Sequence, residues 1–189
     1  MPQLTNNMDD INLLVYDIKL IKEKKLEEML TFQNIKNNFY MLKKGINLDN
    51  NHTCFYGFDD INLMVMSLNL ADETYGIYLD NEFIGITSFG LHNPKDLTRR
   101  EICLCLDEKY RNLGIGSICM KKMVDECFKN DATKCIHLCI IKENLSSRKV
   151  AEKLNFKEYT GYKNDSYIED LDGNTHENVQ YILKKKTNR

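Results

Sequence analysis

The chain has 189 residues, 42 % of them hydrophobic and 29 % charged, and a formal net charge of −2. That is the composition of one globular domain. It lacks the strongly basic balance that broad binding to nucleic acid or to an anionic membrane requires. The seven cysteines are odd in number and form no C-x-x-C pair, so small buried thiols in a reducing compartment are favoured over disulfides or a metal site. No apolar run reaches the length of a membrane span and the first residues carry no signal pattern. A cytoplasmic, metal-free protein is expected.

Residues 12–17 suit a first strand. Helical spacing follows over 19–30 and again over 32–44, with Gly45 as a stop, and residues 47–57 suit a loop. Asp59 or Asp60 suits the cap of a further helix running to Leu70. Two β-rich runs, TYGIYL and EFIGITSFG, flank Asp80-Asn81 and predict a hairpin over 74–90 with a two-residue turn. Residues 91–99, with Pro94, form a polar loop in this reading. Strand 100–106, helix 113–129, strand 134–141 and helix 145–154 come next, and strands over 156–161 and 176–183 close the sheet. His92 and His176 fall in loops, and His137 falls mid-strand as a core or surface histidine.

The most informative stretch is EICLCLDEKYRNLGIGS, from Glu101 to Ser117. An apolar strand ends in a charged loop, and Gly114 and Gly116 open an amphipathic helix. Unpaired N–H groups at a helix start favour an anion, and glycines allow the backbone to approach it. A P-loop would need Gly-Lys-Ser/Thr, and Ser117 follows Gly116 directly. A dinucleotide fingerprint would need a third glycine where Cys119 stands. The pattern Arg/Gln-x-x-Gly-x-Gly/Ala does fit, at Arg111-Asn112-Leu113-Gly114-Ile115-Gly116.

That last pattern resembles the coenzyme A pyrophosphate loop of the GNAT superfamily of N-acetyltransferases. A second block agrees. CIHLCIIKENLSSRKVAEKLNF, from Cys135 to Phe156, is similar to the family's strand, its Asn-x-x-Ser segment (Asn144, Ser147) and its Glu-Lys-Leu-Gly-Phe ending, with Asn155 in place of the glycine. The phrase REICLCLDEKY and the segment DLDGNTHENVQY are similar to one branch, the ribosomal-protein alanine/serine N-acetyltransferases together with spermidine acetyltransferases.

The resemblance implies a single α/β domain with a mixed sheet of about seven strands and helices on both faces. Residues 1–73 would form a helical acceptor side, 74–156 the acetyl-CoA-binding core and 157–189 the last strands. It also implies acetyl transfer from acetyl-CoA to a primary amine, a protein N-terminus or a polyamine, by a monomer or homodimer without nucleic-acid or membrane partners. Two parallel strands would splay apart to admit the pantetheine arm beside the backbone of Leu104, Cys105 and Leu106. The amides of Asn112 to Ser117 (Asn112, Leu113, Gly114, Ile115, Gly116, Ser117) would hold the pyrophosphate, with Arg111 opening the cofactor-binding loop, and Asn144 and Ser147 would meet the pantetheine.

Glu101 is the candidate base, its alternative being a salt bridge to Arg99 or Arg100. Many relatives carry a tyrosine where this chain has Ala151, so Tyr159 and Tyr162 become the candidate acids. A catalytically silent acyl-CoA-binding module and a nucleotide-binding domain are the competing readings.

Overall fold

The structure is a computed structural model that describes residues 26–35, 71–161, 167–169 and 175–186. A single helical turn, α1 (Leu26–Met29), leads directly into β1 (Leu30–Asn34). Strands β2 (Glu73–Leu79), β3 (Glu82–Asn93) and β4 (Asp96–Leu106) form a meander. A 3₁₀ turn (Glu108–Tyr110) precedes α2 (Ile115–Lys129). Then come β5 (Cys135–Ile141), α3 (Leu145–Lys153), β6 (Lys157–Glu158), β7 (Tyr167–Glu169) and β8 (Thr175–Lys184). Seven strands make one path, β1-β2-β3-β4-β5-β8-β6, and β7 pairs onto β8. Every pairing is antiparallel except β4 with β5. The mixed sheet expected from the sequence is present, as one α/β domain.

The hairpin turn forms as expected. Asp80 and Asn81 take φ of 47° and 69°, the paired left-handed backbone that a type I′ turn needs and that Asp and Asn tolerate. The end of α3 forms as expected too. Asn155 lies at φ 65°, its N–H donates to the Glu152 carbonyl and the Phe156 N–H donates to that of Ala151. This pairing is a Schellman cap with asparagine as the left-handed residue.

Three local readings are corrected. Residues 30–34 are strand, so the helix expected over 32–44 does not include Phe32. LTFQN pairs antiparallel along β2, with Phe32 opposite Ile77, and the aromatic ring joins the core from the sheet surface. β-rich residues at a sheet edge override a loose helical spacing. The polar loop over 91–99 shrinks to Pro94 and Lys95, because β3 and β4 continue to the pair Asn93–Asp96. His92 and His176 therefore lie on strands. The strand after Phe156 is only Lys157–Glu158, and β7 is an addition. The elements read at 12–17, over most of 19–30 and of 32–44, at Gly45 and over 47–70 lie outside the described residues, as does Tyr162.

The core fixes which side of the sheet each residue faces. Ile102 of β4, Ile136, Leu138 and Ile140 of β5 and Tyr181 of β8 pack with Met120, Met123, Val124 and Cys127 of α2, and with Ala151 and Phe156. Alternation along a strand then sends Glu101, Cys103, His137, Cys139 and Gln180 to the opposite face. Both α2 and α3 cover the first face.

Candidate active site

The parallel register of β4 with β5 runs over three pairs, Arg99–Cys135, Arg100–Ile136 and Glu101–His137. Beyond Glu101 no further pair joins the two strands, although β4 continues to Leu106 and β5 to Ile141. A V-shaped opening therefore starts at Glu101 and His137 and widens toward the two strand ends. One arm leads into the glycine loop and the other into the start of α3.

Gly114 caps α2 in the left-handed region, at φ 86°. A Cβ there would meet nothing within 4 Å, so glycine is required for its backbone angle and the space beside it is open. Asn112 is also left-handed, at φ 61°. The amides of Asn112, Leu113, Gly114, Ile115 and Gly116 donate to no backbone carbonyl among the described residues. That of Ser117 is already donated to the Gly114 carbonyl at 3.1 Å. The candidate cradle is thus five amides at the positive end of a fifteen-residue helix.

Arg111 turns its side chain back, and its Nε donates to the Leu106 carbonyl at 3.0 Å. It braces the loop against the end of β4. The side chains of Leu104 and Leu106 pack into the core and Cys105 is buried. Only the backbone of these three residues can face the opening.

The second arm is tied to the first. Asn144 accepts the Ser147 N–H at 3.0 Å and caps α3, as Asn does at N-cap positions. The Ser146 hydroxyl lies 3.5 Å from the Asn112 side-chain oxygen, linking the glycine loop to the start of α3. Ser147 is half-buried within the first turn.

Glu101 does not pair with its neighbours. Arg99 Nε meets Asp96 at 2.7 Å and Arg100 Nε meets Asp72 at 3.0 Å. The Glu101 carboxylate instead lies 3.0 Å from His92 Nδ1; its side chain is 42 % exposed and that of His92 12 %. The His92 ring stacks on His137, with centroids 4.3 Å apart and planes 7° from parallel. His137 is fully buried, and that burial, with the neighbouring His92, lowers its pKa to about 4. Tyr159 meets the His137 ring edge-on at 6.0 Å, and its N–H donates to the Gln180 carbonyl at 2.8 Å. His92 is the residue that sequence reading missed. Only the strand pairing of β3 with β4 reveals it, since nothing in its spacing from Glu101 marks a partner.

Ala151 is fully buried in the core with Phe156, which removes this position from the opening altogether. Burial raises the thiols of Cys119 and Cys127 to about 12, so both are inert apolar fillers. Among the described residues there is no cluster of metal-binding side chains, and no helix is long and apolar enough to cross a membrane.

A splayed parallel strand pair, a glycine-opened helix on one arm and an Asn-capped helix on the other agree with the family-model comparison. The model of the GNAT acetyltransferase family matches residues 43–156, more than half of the chain. The chain belongs to the GNAT acetyltransferase family. No curated protein sequence matches it significantly.

Solved structures with this fold include an acetyltransferase from Salmonella typhimurium that modifies the N-terminal serine of 50S ribosomal subunit protein L7/L12. It is 19 % identical with a TM-score of 0.67, over 84 % of this chain and 96 % of that one. An N-acetyltransferase from Staphylococcus aureus Mu50 is also 19 % identical, with a TM-score of 0.62 over 83 % and 99 % of the two chains. The aminoglycoside acetyltransferase AAC(6')-Ib in complex with coenzyme A is 15 % identical, with a TM-score of 0.59 over 82 % and 95 %. At these identities the GNAT fold is what is shared.

Proposed function

We propose that this GNAT protein moves the acetyl group of acetyl-CoA onto a primary amine, with a protein N-terminus or a polyamine as acceptor. The observation that carries the reading is the end of the β4–β5 register at Glu101, which sets a half-exposed carboxylate at the apex of the opening. The Salmonella relative's N-terminal serine substrate supports a peptide as the first acceptor to test.

In this reading the diphosphate of acetyl-CoA rests on the five amides from Asn112 to Gly116. The pantetheine lies between β4 and β5, against the backbone of Leu104 to Leu106. Asn144, whose side-chain oxygen caps α3, offers its NH₂ group to a pantetheine carbonyl, and Ser147 stands one turn behind. An ammonium is not a nucleophile, so Glu101 first takes its proton. The amine nitrogen then attacks the thioester carbon, a C–N bond forms, the C–S bond breaks, and the nitrogen's second proton passes to solvent. The leaving thiolate, with a pKa of about 8.5 by analogy with cysteine, accepts a proton from Tyr159, from Tyr162 or from water.

Release of free thiol from acetyl-CoA, followed across peptides with N-terminal Ser or Ala, polyamines and aminoglycosides, tests the proposal. Glu101→Gln should lower kcat/KM for the best acceptor by at least about tenfold. A chain that binds CoA tightly yet acetylates none of these amines is a silent acyl-CoA-binding module, and the proposal fails.

A further inference from the structure

We infer that His92 is a positioning residue for the reaction: its Nδ1–H fixes one oxygen of Glu101, and its ring is held flat by the stack on His137. The inference rests on the reading of Glu101 as the base. An ionised carboxylate can only accept hydrogen bonds. The 3.0 Å contact between His92 Nδ1 and Glu101 Oε2 therefore requires the proton to sit on Nδ1.

The imidazole is held on one face by a stacked ring and is largely buried. One side is covered by His137 at 4.3 Å and near-parallel planes, and the side chain is only 12 % exposed. His137 is in turn fixed on β5 by the Glu101–His137 register and met edge-on by Tyr159. Three strands thus contribute one residue each, His92 from β3, Glu101 from β4 and His137 from β5. Among the described residues, charged or titratable groups that face the pair include Glu101, His137 and Tyr159, with Asp96 and Arg99 acting on His137 from the start of β4. With Oε2 held, Oε1 is the oxygen presented to the incoming ammonium. It takes that proton while the Nδ1 proton stays on His92, so no net charge is moved into the stack. A carboxylate held in one orientation need not be ordered again at each turnover, which is the benefit of preorganisation in a catalytic group.

Two variants separate this role from simple packing. His92→Phe keeps a flat ring for the stack and removes the donor. His92→Asn supplies an amide N–H close to the Nδ1 position and cannot titrate. We expect His92→Phe to lower kcat for the amine by about 10- to 100-fold with KM for acetyl-CoA unchanged, and His92→Asn to recover most of that loss. Equal, wild-type kcat in both variants would overturn the inference, as would equal losses in both when each is folded.

A readout that needs no turnover is ¹⁵N NMR of the His92 ring in the wild type. The inference requires the Nδ1–H form, and Glu101→Gln should shift that nitrogen resonance. A ring protonated at Nε2 alone overturns the inference even if no acceptor has been found. Failure to acetylate any amine with the Nδ1–H form present would count against the proposed function and leave the His92–Glu101 pairing standing.

Discussion

Glu101 and His137 form the last rung between β4 and β5, and their side chains share the sheet face that α2 and α3 do not cover. The rung has two effects at once. It ends the parallel ladder, which opens the V, and it brings the β4 carboxylate beside a buried imidazole. The two arginines that precede Glu101 on β4 are engaged elsewhere, Arg99 with Asp96 and Arg100 with Asp72. Glu101 is therefore left to His92 rather than neutralised by a guanidinium.

The glycines of the loop should respond differently to substitution. Gly114 sits at φ 86°, where an L side chain costs about 1–2 kcal/mol. Gly114→Val should lower stability by about that much and weaken CoA binding at least tenfold, because the cradle's amides shift with the backbone. Gly116 has ordinary helical geometry, and a Cβ there would lie 3.8 Å from Leu106 and 3.9 Å from Leu104, a normal contact. Gly116→Ala should keep wild-type affinity and gain about 0.5–1 kcal/mol. Calorimetric titration with CoA and thermal melts measure both. Unchanged affinity in a folded Gly114→Val protein would remove the glycine loop from the binding site.

The cap of α3 can be tested separately. Asn144→Ala removes the acceptor for the Ser147 N–H and should cost about 1 kcal/mol. Asn144→Asp keeps the cap and should keep the stability, while giving up the NH₂ group proposed to meet the pantetheine. A lower CoA affinity in Asn144→Asp at wild-type melting temperature separates ligand contact from capping. Equal affinity would mean that Asn144 is a cap alone.

Local chemistry made most of this fold legible in the sequence. Asp80-Asn81, Gly114, Asn144 and Asn155 each mark a turn or cap through their own backbone preferences, and the element boundaries beside them are correct within a residue or two. The misreadings have no such marker. Phe32 is placed by pairing with Ile77 on β2, a contact between distant parts of the chain. Pro94 punctuates the segment and puts His92 in a loop when read from sequence, yet the proline occupies only the turn, and the β3–β4 ladder reaches Asn93–Asp96 across a register shift at His92. The glycine loop was visible as a local pattern. The His92–Glu101–His137 arrangement was not, because it joins three strands and exists only after the sheet has formed.

Tyr159 and Gly161 are coupled. A Cβ on Gly161 would stand 2.3 Å from the Tyr159 ring and hydroxyl, so Gly161→Ala must displace the ring from its place beside His137. If Tyr159 protonates the thiolate, Tyr159→Phe and Gly161→Ala should both slow the acetyl-transfer step, by about 10- to 100-fold. Single-turnover kinetics isolate that step. Wild-type rates in Tyr159→Phe would assign the proton to Tyr162 or to water.

His137 should govern the acid stability of the domain. Its pKa falls from 6.5 to about 4 on folding because burial disfavours the cation. Between those two values the unfolded chain binds a proton that the folded chain refuses, so stability is fully present above pH 6.5 and declines as the pH falls toward 4. The shift corresponds to a loss on the order of 3 kcal/mol. His137→Gln cannot titrate, and its stability should stay flatter through this window even though its starting value is lower. At the other extreme, Cys119 and Cys127 have thiols raised from 9 to about 12 by burial. The unfolded chain releases those protons first, and stability declines again above pH 9. Urea denaturation of the wild type and of His137→Gln, at half-unit steps from pH 4 to 7.5, measures the acid arm. Parallel curves for the two proteins would show that the proton taken up on acid unfolding belongs to another group.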